Sequence, residues 1–178
     1  PASKVAVVFA KDETERVSAF IVDTSSPGYI LHRVCEPMGV RGLCPSEIYI
    51  DDVHVPGENL LGTKSRGYEI MLEAISVGKL GICAEALGVA QSAFDLSLNY
   101  ARDRKAYAKP IADLATIKWL LAEMASRVEA SRWLTYRTAF IRDQGASLLK
   151  ESAVAKLFTS QAVVDVTRMA MQVHGAYG

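Results

Sequence analysis

The apolar residues change period near residue 63, and that change restricts the chain to one kind of architecture. Before it they come in short bursts of the kind that form strands. Residues 4–10 (KVAVVFA) and 17–23 (VSAFIVD) are two such bursts, separated by the polar run 11–16. Ser25-Ser26-Pro27-Gly28 reads as a turn, because proline presets φ and glycine accepts a positive one. Residues 29–34 predict a third strand. A Gly-rich loop, Gly39-Val40-Arg41-Gly42, then leads to a fourth over 47–55. Within it Asp51-Asp52 interrupts the apolar Ile48, Ile50, Val53 and Val55 and predicts a bulge or bend.

After Gly67 the period becomes helical. From about 68 to 102, Met71, Ile75, Ile82, Val89, Ala93, Leu96 and Tyr100 form one stripe. Leu80, Cys83, Leu87, Ala90 and Phe94 form a second, so this helix is expected at the centre of its domain. Between the stripes runs a row of mostly small residues, Gly78, Gly81, Glu85, Gly88 and Ser92. Lys109-Pro110 breaks the pattern. Asp113 is expected to cap a second helix that buries Ile117, Leu120, Leu121, Met124 and Val128 and stops at Asp143-Gln144-Gly145. Ser147 is expected to cap a third, carrying Leu157, Val163, Val166, Ala170 and Val173 and ending at Gly175. Short connections make such neighbours antiparallel. The expected fold class is α+β: a partial antiparallel β-domain over 1–62, then a bundle of three long antiparallel helices over 63–178.

Composition narrows the function. Half of the 178 residues are hydrophobic and 22% are charged, which is globular usage and excludes a disordered or low-complexity chain. Twenty basic residues balance twenty acidic ones. A nucleic-acid binder carries a basic excess or stripe, so no nucleic-acid partner is expected. No apolar run reaches the roughly 18 residues of a membrane span, and no signal peptide is read at the start. Cys35, Cys44 and Cys83 are odd in number and lack CxxC spacing, as expected of ordinary thiols in a reducing compartment. His32, His54 and His174 fall in separate elements, so no metal site is predicted, and His32 and His54 read as surface strand residues. The chain opens without Met and stops directly after a helical pattern, which fits a natural terminus or the edge of a fragment.

Two clusters can carry chemistry. The first is the basic turn Arg102-Asp103-Arg104-Lys105-Ala106-Tyr107-Ala108-Lys109-Pro110. Arginine forks onto phosphates and an aromatic ring stacks on planar groups. The same cations would also suit a plain helix end, where they complement the macrodipole. The second is Gln172-Val173-His174-Gly175-Ala176-Tyr177-Gly178, whose glycines permit close backbone approach to a ligand or simply cap a helix.

Together with the β-segments, these clusters resemble the acyl-CoA dehydrogenase family, flavoenzymes that introduce a Cα–Cβ double bond into acyl-CoA thioesters. The resemblance begins with Ala19-Phe20-Ile21-Val22 and Pro27-Gly28, then Met38 to Gly42, residues 47–56 and Asn59-Leu60-Leu61-Gly62. Residues 100–111 (YARDRKAYAKPI) are similar to the family's YAxxRxxFGKP(I/L) signature, and 172–178 (QVHGAYG) to its AVQxxGGxG motif.

The resemblance implies FAD as cofactor. It puts the diphosphate contact, to the flavin of a neighbouring subunit, on Arg104, with Lys105 and Ala106 along the same strip. Tyr107 takes the place of the family's Phe, and Gln172, Val173, His174, Gly175 and Ala176 meet the adenosine-diphosphate half. Ser76, Val77, Gly78 and Lys79 match the stretch that lines the thioester channel, with Lys79 for the commoner Arg, so a charge without a fork. Two substitutions depart from the pattern, Tyr107-Ala108 for FG and Gly175-Ala176 for GG. Glu85, in the small-residue row, is expected to pair with a cation. It lies about 10 Å along the helix from Gly78, where some members place their base.

In most members the base lies in a Glu-Gly-Thr loop downstream of the second motif. No catalytic residue is therefore assigned within the chain, which reads as an internal fragment inactive alone. The implied partners are an acyl-CoA substrate, an electron-transfer flavoprotein or similar acceptor, and further copies of the chain in a dimer or tetramer. The implied location is the bacterial cytoplasm or the mitochondrial matrix. A non-catalytic helical oligomerisation module is the alternative reading of the same helices.

Overall fold

β2 (Val17–Asp23) is the middle strand of the first sheet, which is why it holds the deepest side chains of that region. It pairs antiparallel with β1 (Val5–Lys11), from Val5 opposite Asp23 to Lys11 opposite Val17. Its other edge takes β5 (Leu60–Leu61), with Ala19 opposite Leu61. Ser18, Ala19 and Val22 are buried as a result. β3 (Tyr29–Val34) and β4 (Ser46–Ile50) form a separate antiparallel ribbon, with a register shift between Leu31 and Arg33. The β-residues therefore make two sheets, and β4 is shorter than the expected 47–55. Asp51-Asp52 ends the strand, with Asp52 at φ 49°. His32, which stacks edge-on against Tyr49, is exposed on β3; His54 is exposed too but lies in the loop beyond β4. Gly28 cannot be replaced: at φ +87°, an added Cβ would come within 1.9 Å of the Asp51 carbonyl oxygen.

Asp12, in the turn after β1, ties this sheet to the segment that follows β5. Its carboxylate accepts from Ser65 Oγ at 2.6 Å, Ser18 Oγ at 2.9 Å, and the Thr14 hydroxyl and amide. Ser18 Oγ in turn accepts from the Ser65 amide at 2.7 Å. These donors, Ser65 first among them, hold the Asp12 carboxyl well below the usual carboxylate range.

This computed structural model describes residues 3–178, which divide into two units, the first running through Leu72 and the second Glu73–Gly178. α1 (Gly67–Asp103), α2 (Ala115–Asp143) and α3 (Leu149–His174) supply the helices. In the second unit, Leu87, Ala90 and Ala101 of α1 pack with Leu120, Leu121, Met124 and Val128 of α2 and Val166, Ala170 and Val173 of α3. Full burial of a side chain the size of Met124 contributes about 1.5–3 kcal/mol. α2 and α3 form a tight antiparallel pair joined by residues 144–148. Their seam is small and hydroxylic: Ser131, Thr135 and Thr138 on α2, and Ser152, Ala155, Thr159 and Ala162 on α3, are all buried. The threonines donate to the carbonyl four residues back, which satisfies them inside their own helices.

Several expectations change here. The α1 face bearing Cys83, Leu87 and Ala90 is buried, but Ile75, Ile82, Val89 and Leu96 stay 45–61% exposed, so the helix is covered on one side and is not central. Three helices cannot enclose one of their own number. Leu157, expected inside, is 75% exposed. Asp113 does not cap α2: a 3-10 turn over Ile111–Asp113 intervenes and Leu114 takes the cap position without a side-chain bond. Leu148, not Ser147, is the cap residue of α3, although the Leu149 amide reaches Ser147 Oγ at 3.5 Å. The stop after Asp143 follows the expected pattern, with the Ala146 amide bonded to the Ile141 carbonyl and the Gly145 amide to that of Arg142.

Between α1 and α2 the basic turn folds into a hairpin of β6 (Lys105–Ala106) and β7 (Lys109–Pro110). Tyr107 and Ala108 form its two-residue loop at φ 54° and 63°. Positive φ at both central positions is the demand of a primed type I turn, normally met by Asn-Gly. Residues with a Cβ cost about 1–2 kcal/mol each there.

Two outcomes follow. In Ala108→Gly the loop strain falls, and the thermal midpoint should rise by about 2–4 °C, for a gain near 1 kcal/mol. The second concerns acid. A carboxyl with a lowered folded pKa contributes stability that is complete above its unfolded value, about 3.9, and is lost as pH falls below it. Circular-dichroism melts should therefore show Asp12→Asn to be less stable than the parent at pH 7, with the difference narrowing below about pH 4 as the parent loses its charge.

Candidate functional site

α1 and α3 finish beside each other, and the residues at their ends line one open pocket of about 210 Å3. Tyr100 and Arg104 come from the end of α1, His174 from the last turn of α3, and Gly175, Ala176 and Tyr177 from the 3-10 turn that follows. Ile111 and Val173, both buried, complete it. The two motif segments, about 70 residues apart in sequence, thus meet at one place. Larger cavities of about 330 and 550 Å3 lie beside β3 and β4, but no residue of the 100–111 or 172–178 segments lines them.

Arg104 is fixed by its backbone. Its amide donates to the Tyr100 carbonyl at 2.8 Å, and its carbonyl accepts from the Ile111 amide at 2.8 Å. Among the described residues its guanidinium has no ion-pair or hydrogen-bond partner. His174 is held on two sides. Its Nδ1 lies 2.8 Å from the Ala170 carbonyl, and its ring stacks on Tyr100 with centroids 4.6 Å apart at 28°. Because a carbonyl only accepts, Nδ1 carries a proton.

Gly175 closes α3 at φ 61°, ψ −125°, its amide bonded to the Met171 and Gln172 carbonyls. No atom lies within 4 Å of where its Cβ would be, so the backbone is open to close approach. Ala176 has no positive φ, so its methyl strains nothing, in contrast to Ala108.

The other predicted residues lie apart from the pocket lining. Lys105 and Ala106 form β6, Tyr107 is 88% exposed at the hairpin tip, and Gln172 is exposed on α3. Ser76, Val77, Gly78 and Lys79 sit on α1, with Lys79 about 37 Å along the helix from Arg104 at 1.5 Å per residue. Ser76 is buried, Val77 and Lys79 are half-buried, and Gly78 is exposed. Glu85 is exposed and has no ion-pair partner among the described residues, against the expectation that it would pair. Tyr100, Ile111 and Tyr177 line the pocket but were not among the site residues expected from the sequence. Tyr100 had a signal: four residues before Arg104, it lies on the same helix face.

Chemically the pocket offers a permanent cation without a partner among the described residues, an imidazole with one nitrogen uncommitted, and the phenols of Tyr100 and Tyr177. That donor set suits a phosphate joined to a flat ring system. It offers no carboxylate for proton abstraction among the described residues.

Comparison with known proteins agrees. The family described as acyl-CoA dehydrogenase, C-terminal domain, matches residues 65–178. The chain is 39% identical over 178 residues to the acryloyl-CoA reductase (NADH) of Anaerotignum propionicum, covering 98% of this chain and 45% of that protein. It superposes on butyryl-CoA dehydrogenase from Megasphaera elsdenii with a TM-score of 0.94 at 31% identity, covering 99% of this chain and 47% of that one. PigA, solved with FAD and proline, matches at a TM-score of 0.92 and 25% identity, again over 99% of this chain and 47% of the other. The chain thus spans about half the length of the relatives it matches. On its helices, its paired motifs and these matches, the chain belongs to the acyl-CoA dehydrogenase family.

Proposed function

We propose that this chain forms the adenosine-diphosphate-binding part of an FAD-dependent enzyme that dehydrogenates an acyl-CoA thioester between Cα and Cβ. The observation that carries the reading is the convergence of Arg104 with His174, Gly175 and Ala176 on one pocket. The structural likeness to PigA solved with FAD supports the cofactor. FAD, when bound, supplies the acceptor for the substrate's β-hydride.

The chain's own residues bind and orient. Arg104 neutralises the diphosphate, Gly175 lets the ligand approach the backbone, and the Tyr100–His174 stack stiffens the wall behind it. Lys105, Ala106 and Gln172 flank the site, and Tyr107 at the hairpin tip packs against the same cofactor that Arg104 contacts, that of a neighbouring subunit. Ser76, Val77, Gly78 and Lys79 line the acyl-CoA channel, where Lys79 offers a point charge without a fork. The carboxylate that takes the α-proton is assigned to no residue of this chain.

The exposed row Ile75, Ile82, Val89 and Leu96, spaced by seven, supports further apolar cover, as does the exposure of Trp119 and Trp133. A homo-oligomer, dimeric or tetrameric, would supply it. An electron-transfer flavoprotein is the proposed oxidant of the reduced cofactor, in bacterial cytoplasm or mitochondrial matrix. No helix of the described residues is long and apolar enough to cross a membrane. The reverse reaction, reduction of an enoyl thioester, is a second reading favoured by the 39% identity to a reductase. Assays in both directions separate the two.

Charge-assisted hydrogen bonds contribute about 1.5–3 kcal/mol, or roughly 10- to 150-fold in affinity. Arg104→Ala in the intact protein should therefore weaken FAD binding by about that factor, with Arg104→Lys in between. Fluorescence titration of the apoprotein reads it. Unchanged affinity in Arg104→Ala would remove the reading.

A further inference from the structure

We propose that His174 is a second, protonation-dependent ligand of the diphosphate, so that this pocket binds its anion through one permanent cation, Arg104, and one that is switched on by acid. The proposal rests on the reading of the pocket as a diphosphate site.

The argument begins with the helix ends. An anion is usually drawn to a helix N-terminus, where unpaired amides and the positive end of the macrodipole face it. This pocket is built at two C-termini, those of α1 at Asp103 and α3 at His174. Their last carbonyls and negative dipole ends repel an anion. The Gly175 amide, which would otherwise donate, is spent on the Met171 and Gln172 carbonyls. With that amide committed, side chains carry much of the attraction, and Arg104 is the one permanent cation among the lining residues.

His174 is placed to help. With Nδ1–H committed to the Ala170 carbonyl and one ring face covered by Tyr100, Nε2 is the nitrogen left for a ligand. In the neutral ring that nitrogen bears a lone pair and can only accept, which is unfavourable toward phosphate oxygen. Protonation places a hydrogen on Nε2 and a positive charge at the end of α3, where the dipole favours it. The groups that face the imidazole are few. α1 presents Arg104 and Tyr100, the turn after α3 presents Tyr177, and the 111–113 turn presents only apolar Ile111. Among the described residues no carboxylate lines the pocket. Binding of the anion and protonation of His174 should thus reinforce each other, by the same factor in each direction.

The test uses FAD, because its diphosphate is a diester that keeps its charge between pH 5.5 and 8, the range in which histidine titrates. Apoprotein of the intact wild type is titrated with FAD at both pH values, alongside His174→Gln and Arg104→Ala, with circular dichroism as the folding control. Wild-type affinity should be about tenfold higher at pH 5.5, and that difference should vanish in His174→Gln. A second measurement needs no variant: by NMR, the His174 ring should titrate at higher pH with FAD bound than without. An equal pH dependence in wild type and His174→Gln, or an unmoved His174 titration, overturns the proposal. Loss of binding in Arg104→Ala together with either of those results would leave the diphosphate site standing and refute only the histidine's part. Unchanged binding in Arg104→Ala would refute both.

Discussion

Met124 has no exposed surface, and the core it belongs to holds the helices of the second unit against one another. Leu87, Ala90 and Ala101 of α1 belong to the same core, and Val166, Ala170 and Val173 extend it along α3. Ala101 and Val173 are the last core residues before their helices stop, so the packing that buries them also brings Arg104 and His174 to one level. The Tyr100–His174 stack and the Arg104–Ile111 backbone bond then fix what the core has aligned. Remove this core and the two motifs are unrelated segments of chain.

The site so formed is electrostatically uncommon. Phosphate sites usually exploit helix N-termini, whereas here two C-termini converge, so a diphosphate bound as proposed needs cationic side chains to reverse the local sign. Residues 102–109 carry Arg102, Arg104, Lys105 and Lys109 against Asp103 alone, and of these cations Arg104 lines the pocket. The plain reading of that turn, cations complementing a helix end, and the proposed one are not rivals: a cation there suits the dipole of an empty pocket and the anion proposed to fill it.

Much of the fold was legible in the residues. β2 and β3 fall where the apolar bursts ended, and α1 extends the predicted 68–102 by one residue at each end. The stops at Gly145 and Gly175 followed from helix-capping chemistry. What was hidden has physical causes. β5 is two residues long, too short to show any period. The threonines of the α2–α3 seam look solvent-facing in a sequence, because their bonds to the carbonyl four residues back are invisible there. Leu157 and the Ile75–Leu96 row are apolar yet uncovered, since periodicity marks a face and does not say what packs on it. The departure from FG at Tyr107-Ala108 was visible as a substitution, but its strain appeared only with the two positive φ angles.

The central claim is that the two motif segments are halves of one diphosphate site. A crystal structure of the intact protein with FAD tests it most directly. The account predicts diphosphate oxygens within hydrogen-bonding distance of the Arg104 guanidinium, in the pocket bounded by His174 and Gly175. A cofactor whose diphosphate lies elsewhere, leaving Arg104 without a ligand, would contradict it.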